Sequence, residues 1–180
     1  MRDVRPVWSP PVPGVSNFLE LNIRTYVFDA AGRAGVWFFS LDASQPIAVV
    51  LARVFFKLPY FRARMRARAT PATVDYWAQR SGFAPDHFVW QPSGEPRLAV
   101  PGSLEFFLIE RYLLYSWESR AGHLFSGRVY HRPYGLREAK VHEFGTQLLT
   151  PAGLSPRFTP PDHQIHSDGV DVEIFGLKRE

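Results

Sequence analysis

The 180-residue chain contains no cysteine, which excludes disulfides, thiolate metal sites and a cysteine nucleophile. A reducing, cytoplasmic setting is the expectation that follows. Only three of its 21 basic residues are lysines, Lys57, Lys140 and Lys178, so arginine carries nearly all the positive charge. Apolar runs such as Ile47 to Ala52 fall far short of the roughly 20 residues a membrane span requires. The opening "MRDVRPVWSPPVPG" lacks the apolar centre of a signal peptide. Glycine-rich phosphate loops, a G-x-S-x-G elbow and paired-carboxylate spacing are all missing, as are internal repeats and low-complexity linkers. With 21 Lys+Arg against 17 Asp+Glu the excess is +4, too small to suggest nucleic acid. Neither nucleic acid nor a membrane is therefore expected as a partner, and the oligomeric state stays open.

What is present points to a strand-rich globule. Hydrophobic residues make up 46% and aromatics 15% of the chain, which excludes a disordered polymer. Sixteen prolines and 13 glycines imply many turns and few long helices. The length suits a single domain over residues 1–180.

"ELNIRTYV" and "VWFFSLDA", joined by the two-glycine turn "DAAGRAG", read as a hairpin. "SQPIAVVLARVFF" reads as a helix capped by Ser44 with Pro46 in its first turn, apolar nearly all round and hence buried on most sides. "FRARMRARA" alternates strictly and pairs through "TPA" with "TVDYWAQR". A turn-rich stretch runs from Gly82 to Gly102, after which Ser103 caps a short helix through Phe107 and Leu108. "ERYLLYSW" and "HLFSGRVYHRPY" are two more strands, "LREAKVHEF" fits a short helix or a strand, and "GVDVEIFGL" closes the sheet.

The first strand raises the functional question. Glu20, Asn22 and Arg24 stand in a row at strand period, with Phe18, Tyr26 and Phe28 on the same face. Either this face is solvated, or it lines a polar pocket. The aromatic band is costly to leave in water, and a buried Glu20 or Arg24 needs a partner. Arg53 on the helix and Glu110 before "RYLLY" are the obvious ones. His131 in "YHRPY" is a further acid–base candidate. The row Arg62, Arg64, Arg66, Arg68 presents four guanidiniums, either to phosphates or, as a strand edge kept soluble by charge, to water; Asp75 is the nearest expected partner. "PPDHQIHSDGVD" gathers His163, His166, Asp162 and Asp168, but its prolines and glycine argue for a loop or strand on which histidines three apart do not face one metal. No metal and no cofactor are expected.

"ELNIRTYV", "GVWFFSLDA", "AR…LPY", "FLIERYLLY" and "HRPY" resemble the YqjF-like family of uncharacterised proteins (DUF2071), from about Arg5 to the C-terminus. That family is remotely similar to the acetoacetate decarboxylase superfamily. The resemblance implies an α+β, mostly β fold: a curved antiparallel sheet closing into an acetoacetate-decarboxylase-like barrel, with one or two covering helices and a central cavity. The shared run is a glutamate on a strand, a "G-x-x-G" turn, an aromatic strand, a helix ending in arginine and then a proline. Here these are Glu20, Gly32 with Gly35, Trp37 to Phe39, Arg53 and Pro59. The resemblance places Glu20 towards the cavity. It also exposes a departure, because the decarboxylases follow that proline with paired lysines, one of which forms a Schiff base, whereas this chain has Tyr60 and Phe61. Lys57 lies on the wrong side of the proline to take that role. Family members usually carry a further N-terminal segment with "FLHW"-like and "W-x-G-x-x-P-F" motifs that this sequence does not show; its absence would open the barrel and expose apolar surface.

The expectation is an internal cavity for a small organic acid or similar metabolite, with Asn22, Arg24, Arg53, Glu110 and His131 binding it. Glu20 would move a proton, and Tyr60 would donate a hydrogen bond. Two alternatives stand beside it: an enzyme acting on a small keto or carboxylic acid without a Schiff-base lysine, and a purely structural or interaction protein.

Overall fold

A computed structural model describes Met1 and residues 16–180; the N-terminal stretch discussed above lies almost wholly outside the described residues. The chain runs β1 (Glu20–Phe28), β2 (Ala34–Ala43), α1 (Pro46–Phe56), β3 (Tyr60–Ala69), β4 (Val74–Arg80), β5 (Asp86–Arg97), α2 (Leu104–Ile109), β6 (Leu113–Glu118), β7 (His123–His131), β8 (Leu136–Glu143), a 3-10 helix (Gln147–Ala152), β9 (Ile165–Ser167) and β10 (Val172–Arg179). The fold is α+β and mostly β.

The strands form one ten-stranded sheet in the order β10-β7-β6-β2-β3-β4-β5-β8-β9, with β1 paired to β2. β2 is its hub. β1 runs antiparallel along it, while β6 meets its first half and β3 its last three residues, both parallel. Since a strand has two edges and β1 occupies one throughout, β6 and β3 share the other. Among the described residues no ladder joins β10 to β9, so the ends of the strand order stay unpaired, and β10 lies along β7 at an edge where closure was expected.

Local chemistry explains the hub. In the β1–β2 turn the Asp29 carboxylate accepts from the Ala31 and Arg33 amides at 3.0 and 2.8 Å, and Gly32 takes a φ of +76° that a β-carbon disfavours. Gly35 is needed for another reason: a β-carbon there would lie 2.5 Å from the Tyr115 ring of β6. The first and last glycines of the G-x-x-G turn thus serve a tight reversal and a close strand approach.

α1 departs from the sequence expectation in two ways. Its cap is Gln45, whose side chain accepts from the Ile47 amide at 3.1 Å. Ser44 is engaged elsewhere, its hydroxyl accepting from Leu19 N at 3.0 Å and its own amide donating to Leu19 O. Nor is the helix buried on most sides. Val49 is its buried residue, packed in the main core with Phe18, Val36, Leu41, Ala43, Leu58, Tyr60 and Leu114, whereas Ile47, Val50, Leu51, Val54 and Phe55 are exposed. Burial works through one stripe of a helix, and the sheet covers only one side of α1.

β5 occupies part of the stretch read as turns, from Asp86 to Arg97. Pro92, Gly94 and Pro96 hide it in the sequence, and its ladder to β8 shifts register around them, as the loss of amide donors dictates. "LREAKVHEF" resolves as strand β8. The short helix capped by Ser103 forms as expected, the hydroxyl accepting from the Phe106 amide at 3.2 Å.

Candidate functional site

The end of β2 positions the candidate site. Ala43 pairs with Glu20 of β1, and Leu41 pairs with both Asn22 of β1 and Tyr60 of β3. Paired residues share a face, so Glu20, Asn22 and Tyr60 converge across the hub. The Tyr60 hydroxyl donates to Glu20 Oε2 at 2.6 Å, and Asn22 Nδ2 reaches Oε1 at 3.4 Å. Tyr76 of β4 donates to the Glu20 backbone carbonyl at 2.8 Å. Arg53, an expected partner for the glutamate, goes elsewhere: its Nε donates to the Tyr60 carbonyl at 2.6 Å and its guanidinium stands 5.3 Å from the Phe61 ring. It positions Tyr60 through the backbone.

No ion pair forms at the Glu20 carboxylate among the described residues; its side-chain partners are the neutral Tyr60 and Asn22. Loss of water dominates, and burial pushes the Glu20 carboxyl above its ordinary 4.5 despite the lowering effects of Tyr60 and Asn22 and of the more distant charges of the N-terminus and Arg24. Burial, with the Glu20 charge nearby, pushes the Tyr60 hydroxyl upward as well. Tyr60 is thus held as a neutral donor to a carboxyl that protonates readily.

Arg24 sits two residues along the row and is exposed. Its Nη2 donates to the Leu108 carbonyl at 3.2 Å, where Tyr26 also donates at 2.8 Å. Tyr26 packs on Phe107 with ring centroids 4.9 Å apart, so α2 is fastened over this end of β1. Glu110, expected to pair with Arg24, is buried and instead accepts a short hydrogen bond from the Tyr112 hydroxyl. That bond pushes the Tyr112 hydroxyl up to about 12. His131 is buried and stacks on Tyr112 at 4.7 Å, with Tyr134 4.8 Å away on a tilted ring. His131 Nδ1 lies 2.9 Å from the Arg132 carbonyl, which assigns the ring proton to that nitrogen. Tyr134 is raised by burial and feels opposite pulls from Arg24 and Glu110. The expected residues therefore form two groups, Glu20–Asn22–Tyr60 and Glu110–His131, with Arg24 on the row between them.

A third charged group escaped the sequence reading. Asp42 and Arg80 are both buried. Arg80 Nε donates to Asp42 Oδ1 at 2.9 Å, its Nη2 makes a short bond to the same oxygen, and Nη2 also donates to Ser40 Oγ at 2.8 Å. The Arg80 guanidinium lies 4.0 Å from the Phe61 ring centroid. Asp86, also buried, accepts from the Gln147 and Leu148 amides at 2.7 and 2.8 Å and caps the 3-10 helix. Burial raises both carboxyls, and the Arg80 bonds pull Asp42 back. Ser40 and Asp42 alternating with Leu41 and Ala43 in "SLDA" was the available signal: a polar period-2 face inside an otherwise apolar strand.

Two hollows lie apart from the row. One is a narrow cleft against Asp42, Arg80, Asp86 and Leu148; the other, about 220 Å3, lies among Phe88, Val141, Phe144, Arg157 and Asp162. Neither is lined by Glu20 or Tyr60. Asp75 stands opposite Arg68 in the ladder, yet its ion pair is with His87, at 3.2 Å. His166 Nδ1 accepts from Trp90 Nε1 at 3.3 Å and its Nε2 faces Asp168 Oδ1 at 3.2 Å, and among the described residues no group of three or more histidines and carboxylates is placed to hold a metal.

Comparison with known proteins places this geometry in context. The family DUF2071, described as an uncharacterized conserved protein, matches residues 1–171. The uncharacterized protein YqjF of Bacillus subtilis (strain 168) is 36% identical over 183 residues, covering 99% of this chain and 73% of its own length. Among solved structures, acetoacetate decarboxylase from Legionella pneumophila superposes with a TM-score of 0.56 at 12% identity, over 93% of this chain and 65% of that one. The enduracididine biosynthesis enzyme MppR complexed with pyruvate gives 0.57 at 15% identity, over 92% and 65%. The chain thus spans just under two thirds of the solved structures it matches. At these identities the likeness is one of fold.

Proposed function

The chain belongs to the DUF2071 family, and from that premise we propose that it binds a small organic acid, or a metabolite with one polar and one apolar end, over the Glu20–Asn22–Arg24 row. The observation that carries the reading is Glu20: a carboxyl removed from water, bonded to neutral donors and with no cation in ion-pair contact. Purely structural burial selects against such a group, since an uncompensated charge costs several kcal/mol. Pyruvate in the MppR structure supports a small keto acid as the ligand class. The sheet around the β2 hub, where β1 and β3 flank the same strand, supplies the wall on which such a ligand would rest.

In this reading Arg24 anchors the ligand carboxylate. One Nη2 proton is committed to Leu108 O, and the remaining guanidinium donors suit a bidentate contact. When it takes up a proton, Glu20 can donate to a ligand oxygen, while Tyr60 holds the carboxyl in place. Glu110 and His131 bound the far end. If turnover follows binding, it runs without an imine: Tyr60 follows the proline, and Lys57 is drawn to Glu118 at 3.4 Å.

A thermal-shift screen of small carboxylates, pyruvate and acetoacetate first, tests the proposal. A ligand present at 100 times its Kd stabilises the fold by about 2.7 kcal/mol, and that shift is expected in the native chain and lost in Arg24→Ala. Glu20→Gln is expected to fold normally and respond weakly. If no carboxylate moves the midpoint and both substitutions unfold the chain, the row is structural and the proposal fails.

A further inference from the structure

The side of the sheet that carries α1 holds two features that the ligand reading leaves unused. Ile47, Val50, Leu51, Val54 and Phe55 recur at i, i+3, i+4, i+7 and i+8, the stripe a helix normally buries. Here they point away from the sheet, each 46 to 64% exposed. α1 contains no acidic residue, and Arg53 is its one charge. Beside it, β3 leaves the core at Tyr60 and continues with Arg62, Arg64, Arg66 and Arg68 on the same face. All four are exposed, and none has a carboxylate within ion-pair distance among the described residues. Arg66 lies over Trp77 at 4.6 Å. Successive arginines are about 7 Å apart, at two residues per repeat. The chain's excess is 21 − 17 = +4, so these four account for all of it and the rest of the molecule balances.

We propose that the outward stripe of α1 and the arginine row of β3 together form a docking surface for an anionic lipid bilayer. The stripe enters the boundary between headgroups and acyl chains, α1 lying flat in the membrane plane, and the arginines meet the negative surface beside it. Each feature removes a rival occupant. A nucleic acid would satisfy the guanidiniums and leave five apolar side chains in water. A second copy docked through the same face would bring one arginine row towards another, with no acid on α1 or in the row to offset them. Asp75 and Glu143, further along this face, are occupied by His87 at 3.2 and 2.8 Å. The inference replaces the expectation of no membrane contact, which rested on the lack of a spanning segment; a helix lying in the interface needs none. It is independent of what binds at Glu20.

The test is flotation of the full chain with vesicles of phosphatidylcholine alone and of phosphatidylcholine mixed with phosphatidylglycerol, at low and high salt. The chain is expected to float with the mixed vesicles at low salt and to stay in solution with the neutral ones. Arg64→Gln with Arg66→Gln should weaken partitioning roughly thirtyfold, from the usual contribution of a basic residue at an anionic surface. Phe55→Asp should abolish it; because all three positions are exposed, circular dichroism should show both variants folded. Failure of the native chain to float with the mixed vesicles overturns the proposal. So does binding of a single-stranded oligonucleotide that survives Phe55→Asp while flotation is absent, or a dimer in solution that Phe55→Asp converts to monomer.

Discussion

Asp42 and Glu20 stand one ladder position apart across the β1–β2 pairing, Asp42 opposite Leu21 and Glu20 opposite Ala43, and they point to opposite faces. Both are carboxyls that burial pushes upward. Asp42 meets a guanidinium bonded through two nitrogens and shared with Ser40, so its charge is consumed inside the fold. Glu20 meets a tyrosine and an amide, so its charge is not. The first arrangement is a strut, and the second leaves a reactive group for something else to complete. Having lost water is common to both; what separates structure from candidate function is whether a cation has been supplied.

Removing the strut's cation is the hardest blow to the fold. Arg80→Met leaves Asp42 ionised and unpaired, and should cost about 3–5 kcal/mol in chemical denaturation. Glu20→Gln, by contrast, removes a desolvated acid and should leave stability at neutral pH unchanged or higher. Equal losses from the two substitutions would erase the distinction. Gly145→Ala comes next: its β-carbon would sit 2.2 Å from Asp86 Oδ1 and 2.8 Å from Asp86 Cα, and since backbone cannot yield as a side chain does, a loss of about 1–3 kcal/mol is expected. Tyr60→Phe leaves Glu20 without its best donor and should cost about 1 kcal/mol, read from the same denaturation curves.

The pH dependence sharpens the contrast. A carboxyl whose folded value is raised binds its proton more tightly when folded. Its contribution is therefore fully present below the unfolded value and is lost as pH rises through the folded one. Glu20 should cost stability from about pH 4.5 upward, beginning at its ordinary value. Asp42 and Asp86 act in the same direction, so the quantity to measure is the native chain minus Glu20→Gln. That difference should fall as pH rises, the native chain losing stability relative to Glu20→Gln, and then level off. The smallest effect belongs to His87, which bonds to Asp75 and Glu143 hold above 6.5. Its exposed ring should titrate above that value by NMR and return towards it in Asp75→Asn.

Much of this architecture was legible before any coordinates. The hairpins β1–β2 and β3–β4 follow from period-2 alternation and from turn residues whose demands are local. β5 was not, because Pro92, Gly94 and Pro96 read as turns until β8 supplies the neighbour that holds them extended. Helical periodicity says which residues of α1 are apolar, not how much sheet is there to cover them, so it overstates the burial of this helix. Glu20 and Tyr60 were legible as candidates, but their 2.6 Å contact depends on the parallel pairing of β2 with β3 across a helical connection, which no local signal encodes. The Arg80 strut was lost in the same way. Its partner Asp42 is 38 residues distant in sequence, and only the odd polar face of "SLDA" hinted that a charge waited there.

The most direct measurement is the titration of the Glu20 carboxyl itself, followed by carbon-detected NMR in the native chain and assigned with Glu20→Gln. The account predicts an apparent value above 4.5 that falls towards normal in Tyr60→Ala, as water reaches the group. A carboxyl titrating at or below 4.5 in the native chain would show it solvated or already paired, and would leave the row with no unfinished charge for a ligand to complete.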